Sequence, residues 1–257
     1  MRRSSSSARQ GDYLLAHGVK RLRIALGTGE DQRSLERGED QQRAAARAGR
    51  LEATLTQAQL ERVEAASVAS ASDNISDAWR TVAPMLEREP GAPVLVVGGA
   101  AAGSIGLYAA ALAVALGSQS VTYLDADEAR RATAERLGAQ TIATMPKRLG
   151  PFPITVDASA DPDGLALALR STAPDGTCTS AAIYFGEQPR LPLLEMYTKG
   201  ITFRTGRANA RTAMPHVLEL AATGALHPEI VTTRTVAWSD AADALLESGW
   251  TKLVFER

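Results

Sequence analysis

Residues 94–106 read VLVVGGAAAGSIG and run directly into LYAAALAVALG, residues 107–117. Four β-favouring aliphatics are followed by glycines and alanines, and then by an Ala- and Leu-rich run that stops at Gly117. This is the order strand, tight turn, helix. Small side chains let the backbone approach a diphosphate closely, and the amides and dipole at the start of the helix favour negative charge there. Counted back from Gly106, the G-x-G-x-x-G register falls on Ala101, Gly103 and Gly106, so its first glycine is alanine here. Gly98 and Gly99 stand just before that register and are expected to take the tight-turn role in a slightly lengthened loop.

Outward from this turn, short apolar runs alternate with helical periods. Strands are expected at 94–97, 120–124, 141–144, 154–158, 177–184 and 201–204, with helices at 105–116, 128–137, 164–171, 191–199 and 212–222. That alternation predicts an α/β fold, a doubly wound parallel Rossmann sheet covered by helices. Strand two ends YLDAD. Asp125 lies about 20 residues past Gly106, where an acid can hydrogen-bond the adenosine ribose of a dinucleotide. The same carboxylate would repel a 2′-phosphate, which favours NAD over NADP; Arg130, near the adenine end, is a counter-signal. The plain alternative for Asp125 is a helix N-cap or a solvated turn residue, although Asp127, directly before Glu128, fits the cap better.

Composition narrows the function classes. In 257 residues, 28 Lys and Arg face 29 Asp and Glu, a net charge of -1 that gives no broad footprint for nucleic acid or an anionic membrane. A single cysteine, Cys178, forms no internal disulfide, so a reducing, cytoplasmic setting is expected. The start, MRRSSSSARQ, is basic and Ser-rich, but no apolar core follows it before Lys20, Arg21 and Arg23. Residues 14–26 are too short and too charged to span a membrane.

Residues 1–64 are rich in Arg, Glu and Gln and nearly free of aromatics, and they read as a partly helical or disordered arm. Leu51, Leu55, Ala58 and Val63 approximate one helical stripe ending near Ala66. The expected organisation is an arm at 1–64, a linker with a leading helix at 65–90, a Rossmann NAD-binding domain at 91–230 and two C-terminal strands within 231–257.

VLVVGG, SIGLYAA, YLDAD, AERLGA, VDASADPDGLALALRSTAPDGTCTSAAIYFG and ITFRTGRANAR, in this order, resemble the medium-chain dehydrogenase/reductase family, the zinc-type alcohol dehydrogenases. The resemblance runs from about Ala66 to Arg257. SASDNISDAWRTV, residues 70–82, is similar to the helix that enters the nucleotide domain in that family. The resemblance implies NAD(P)-dependent oxidation of an alcohol or reduction of a carbonyl. It implies that Gly103, Ser104, Ile105 and Gly106 face the pyrophosphate and that Asp125 faces the ribose. It further implies that Ala158 and Ser159, after strand four, and Ile183 and Tyr184, ending strand five, line the slot near the nicotinamide. Association of copies through the nucleotide domain is also expected.

The family's catalytic zinc needs three ligands from Cys, His and carboxylates, usually in a separate N-terminal barrel. Cys178 falls in an expected strand, His216 lies on a helix beside an apolar face, His227 sits in a loop and His17 belongs to the arm. No metal site is therefore assigned. Residues 1–64 lack the alternation a barrel needs, so a truncated chain without that barrel is expected. Its strands at 232–238 and 252–256 must then pair with each other, the arm or another chain, or else fray. The leading expectation is an NAD-binding protein of an oxidoreductase family with weak or no independent turnover. The alternatives are a zinc-free reductase of the same superfamily, a nucleotide-binding or regulatory module, and an inert remnant. A short-chain dehydrogenase would need a Tyr followed four residues later by Lys, which no tyrosine here has. A methyltransferase would need an antiparallel last strand that is not evident.

Overall fold

Val94–Val97 forms strand β1, and all four of its side chains are buried, which a strand covered on both faces requires. The computed structural model describes residues 63–101, 103–185 and 188–257. Most of the expected arm and its helical stripe thus lies outside the described residues. Helix α1 (Asn74–Arg88) precedes β1 and turns Ile75, Ala78, Val82, Met85 and Leu86 inward. Helix α2 (Gly103–Ala115) follows the glycine turn and is buried almost all round, as its uniformly apolar text demands. It stops at Gly117, whose φ of +81° lets the Ser118 amide bond the Ala113 carbonyl.

The remaining elements are β2 (Val121–Leu124), α3 (Glu128–Arg136), β3 (Gln140–Ile142), β4 (Phe152–Asp157), α4 (Pro162–Ser171), β5 (Thr172–Ser180), α5 (Leu193–Lys199), β6 (Thr202–Arg204) and α6 (Ala210–Ala222). Strands β1 to β6 form one parallel sheet in the order β3-β2-β1-β4-β5-β6. The chain thus winds outward from β1 in one direction, then crosses back to β4 and winds the other way. At that reversal the loops after β1 and β4 diverge to opposite faces and leave a crevice at the carboxyl edge. Leu95, Val97, Leu124, Leu165, Leu169 and Cys178 fill one core cluster.

Several boundaries differ from the sequence expectation. Strand five was expected to reach residue 184 but ends at Ser180, because a hydroxyl network around Asp157 takes over from the ladder; Ile183 and Tyr184 lie in the following loop. Helix α4 starts two residues early, with Pro162 in its first turn and Asp161 capping the Asp163 amide at 2.9 Å. The two C-terminal strands, β7 (Arg234–Ala237) and β8 (Leu253–Glu256), pair with each other in parallel and bracket helix α7 (Ala241–Leu246). Among the described residues no helix is long and apolar enough to cross a membrane.

Cys178 is fully buried, and burial pushes its thiol up to about 12, so it packs as a small hydrophobe. One strand position further on, the Thr179 hydroxyl is buried without a hydrogen-bond partner, a desolvation cost that a methyl group removes. Thr179→Val keeps the β-branched shape and is expected to raise stability by about 1 kcal/mol in urea unfolding.

Candidate functional site

The crevice is built by absent side chains. A Cβ on Gly98 would collide with the Tyr123 hydroxyl and with the Asp125 carboxylate at 2.7 Å. A Cβ on Gly99 would collide with the Ser159 backbone, meeting its carbonyl oxygen and lying 2.8 Å from its Cα. On Gly106 it would lie 3.2 Å from the Ala158 Cβ. None of Gly98, Gly99, Gly103 and Gly106 has a positive φ. The expected tight-turn role is therefore a matter of room rather than torsion: these positions let two strand ends and a helix start meet at backbone distance. The first turn of α2, with its amides free of intrahelical partners, opens at that meeting point.

Asp125 follows β2 and is 2% exposed. Its Oδ2 accepts from the Tyr123 hydroxyl at 2.9 Å and Arg130 Nε at 2.7 Å; its Oδ1 accepts from the Asp127 amide and Arg130 Nη2, both at 2.9 Å. Burial alone would raise its pKa, but the Arg130 fork, the Asp127 amide and Tyr123 outweigh it and hold the carboxyl below the usual range. Asp127 is the N-cap of α3, bonding the Arg130 amide at 2.8 Å, as its place before Glu128 predicts. The Arg130 side chain then returns across α2. Its Cδ lies 3.0 Å, and the Thr251 methyl 3.6 Å, from where a Cβ on Gly103 would be.

A second network sits after β4. Asp157, fully buried, accepts from the Ser159 amide (3.1 Å) and hydroxyl (2.6 Å), the Ser180 hydroxyl (2.7 Å) and the Tyr184 hydroxyl (2.8 Å). Burial, then the charge of Asp157, pushes the Tyr184 phenol well above its ordinary value. Ser159 is pinned from two sides, by Gly99 against its backbone and by Gly164 against its side chain, where a Cβ would lie 2.7 Å from the serine Cβ. Ala160, next in sequence, takes a left-handed φ of +55°. Ala158 is buried beneath Gly106, whereas Ile183 is 66% exposed.

The sequence reading named Gly98, Gly99, Gly103, Ser104, Ile105, Gly106, Asp125, Arg130, Ala158 and Ser159, and all of them lie at the carboxyl edge around the β1/β4 crevice. It missed Tyr123, Asp157, Ser180 and Thr251. Tyr123 and Ser180 read only as strand positions, Asp157 is an acid that closes a strand in the pattern VDAS, and Thr251 is over a hundred residues away in sequence.

Residues 104–223 match the family model described as zinc-binding dehydrogenase. That match covers just under half of the chain, and over it the sheet domain is similar to the zinc-binding dehydrogenases. Solved structures share its fold. An alcohol dehydrogenase from Thermus sp. ATN1 is 24% identical with a TM-score of 0.64, over 76% of this chain and 59% of that one. A 2R,3R-butanediol dehydrogenase from Bacillus subtilis is 17% identical with a TM-score of 0.64, over 76% and 59%. An acetophenone reductase from Geotrichum candidum, solved with NAD, is 19% identical with a TM-score of 0.63, over 76% and 57%. The chain thus spans less than two thirds of the length of these proteins. Comparison with curated proteins gives no sequence match.

The zinc that the family name implies does not fit the described residues. No three of their His, Cys, Asp and Glu side chains come together to hold a metal. Cys178 is sealed in the core, His216 stacks on Trp79 with ring centroids 5.2 Å apart, and His227 pairs with Glu229 at 3.0 Å.

Two outcomes follow from the geometry. Gly99→Ala is expected to cost about 2 kcal/mol in urea unfolding, because its methyl meets backbone that cannot rotate away. Asp125→Asn is expected to cost about 3 kcal/mol at pH 7, by leaving Arg130 with only the more distant, exposed Asp127 as its anion. Because the folded pKa of Asp125 is depressed, this carboxylate's contribution is complete above the unfolded value of about 3.9 and is lost as pH falls through the lower folded value. The gap between wild type and Asp125→Asn should therefore narrow below about pH 4 in thermal melts.

Proposed function

We propose that the chain binds NAD(H) across the carboxyl edge of its parallel sheet and serves the alcohol or carbonyl oxidoreduction of its family, with weak or no turnover on its own. The observation that carries this reading is the room left by Gly99 and Gly106 where α2 opens onto the β1/β4 crevice. A diphosphate needs that combination of close backbone approach and unpaired amides. The nicotinamide cofactor, when bound, supplies hydride exchange at its ring. The chain's own residues bind and orient it. Gly103, Ser104, Ile105 and Gly106 face the diphosphate, Asp125 the adenosine ribose, and Ser159 with the loop of Ile183 and Tyr184 the nicotinamide end. The Asp125 carboxylate supports NAD(H) over NADP(H), because a 2′-phosphate beside it would add like charge at a buried position.

Hydride transfer to a carbonyl also needs an electrophile or acid at the reacting oxygen. Tyr184, the hydroxyl on the nicotinamide side, is committed to Asp157 at 2.8 Å, which supports binding without efficient turnover. Strand β6 lies at the sheet edge, and Ile183, Phe185, Leu193, Leu194 and Tyr197 on the neighbouring loop and helix are exposed, which supports association of two copies there.

Fluorescence titration with NADH tests the reading. Wild type is expected to bind saturably, and Gly103→Asp, which places a carboxylate at the mouth of α2, to lose affinity by about tenfold or more while staying folded. No saturable binding by folded wild type overturns the proposal. Rapid NADH production from simple alcohols, abolished by Gly103→Asp, overturns the weak-turnover part alone.

A further inference from the structure

We infer that the substrate of the proposed oxidoreduction carries an oxyanion, a carboxylate or a phosphate monoester, and that Arg204, with Arg80 and Arg211, receives it at the carboxyl end of β6. The inference rests on the NAD(H) reading above and adds the chemical class of the second ligand. The chain as a whole is balanced, at a net charge of -1, but residues 196–218 carry Lys199, Arg204, Arg207 and Arg211 and no Asp or Glu. Three of these cations lie where the chain leaves β6 and enters α6. Arginines are ordinarily solvated singly over a protein surface. Here the fold gathers them at the working edge of the sheet.

Strand β6 ends at Arg204, so that residue, the loop after it and the first turn of α6 open at the same carboxyl edge as the β1/β4 crevice. Arg204 stands level with Thr179 of β5, and the carbonyl of the next β5 residue, Ser180, accepts from Arg80 Nη2 at 3.2 Å. Arg80 and Met85 both belong to α1, and Arg204 Nη1 lies 3.5 Å from the Met85 Sδ. Two guanidinium groups from different elements are thus drawn together between α1 and the ends of β5 and β6, neighbouring strands that lie about 4.8 Å apart. Their anions do not balance. Asp77 pairs with Arg80, whose side chain is 19% exposed and so is held rather than freely solvated. Asp157, the carboxylate beside Ser180, is filled by three hydroxyls and an amide. Arg204 donates to a thioether, a weak acceptor, and neither it nor Arg211 pairs with a carboxylate among the described residues.

Position then selects the ligand. In the order β4-β5-β6, Arg204 stands two strands, about 10 Å, from the loop after β4 that carries Ser159. On the NAD(H) reading the reacting carbon is held on the Ser159 side, and a short molecule reaches from there to the arginines with its charged end. The diphosphate, received at the mouth of α2, does not compete for them. A guanidinium presents parallel N–H donors that match two oxygens of a carboxylate or a phosphate. A plain alcohol has nothing to satisfy that fork. The surplus charge also steers a small anion toward this end of the crevice.

The test is isothermal titration of the full chain saturated with NADH, with malate, glycerol 3-phosphate and neutral glycerol as probes. Each carries a hydroxyl and none reacts with the reduced cofactor, so binding is read without turnover. Malate or glycerol 3-phosphate is expected to bind saturably and at least about tenfold more tightly than glycerol, and the tighter of the two names the anionic group. Arg204→Gln, a change at an exposed side chain, should weaken that anion by about tenfold and Arg211→Gln by about threefold, with NADH affinity held as the sign of an intact crevice. Arg204→Lys, which keeps the charge and loses the fork, should fall between wild type and Arg204→Gln. Glycerol binding as well as the anions, no anion binding by the NADH-loaded chain, or Arg204→Gln without effect overturns the inference and leaves dinucleotide binding standing. Inorganic sulfate binding as tightly as either organic anion, with or without NADH, marks a bare cation patch and overturns it too. No saturable NADH binding overturns both readings.

Discussion

Everything at the carboxyl edge of this sheet depends on the backbone-to-backbone contact between Gly99 and Ser159. It joins the two loops that leave the sheet in opposite directions, and it sits at the reversal of the winding order. One methyl group would force them apart. With that distance fixed, Gly106 settles onto Ala158, α2 starts at the crevice, and Ser159 is left in reach of Asp157. Packing at this point is decided by what the chain leaves out, and large apolar side chains then fill the space below.

Two buried carboxylates flank the contact, and they are stabilised by different means. Asp125 has a guanidinium fork and behaves as half of an ion pair, so its environment is strong and breakable by rotation of one side chain. Asp157 has no such cation among its hydrogen-bond partners: three hydroxyls and one amide hold it, and those groups also end strand β5. The first arrangement suits exchange with a ligand, because a donor pair can replace a donor pair. The second suits permanence, since releasing it would unmake the end of two strands.

Much of this was legible in the sequence. The run 94–117 carries its own strand, turn and stop, and Asp125 stands at a distance from Gly106 that strand two and its turn dictate. Element identity came through because each segment is apolar on the period its structure needs. Less legible were contacts between hydroxyls and acids, since Ser159, Ser180 and Tyr184 have no periodic signal. Strand five was overread for that reason: the apolar text of 181–185 continues past the point where Asp157 diverts the hydrogen bonds. The saturation of Asp125 was likewise hidden, because the spacing that marks an acid for a ribose is the same when an arginine five residues on already occupies it.

The Thr251 methyl beside Gly103 ties the end of the chain to the mouth of its first crossover helix. During synthesis the six-stranded sheet is complete once β6 has emerged, whereas that part of the rim waits for residues near the carboxyl terminus. The nascent protein thus acquires its core before this edge of its crevice, and until Thr251 arrives the mouth of α2 lacks the methyl group that lines it.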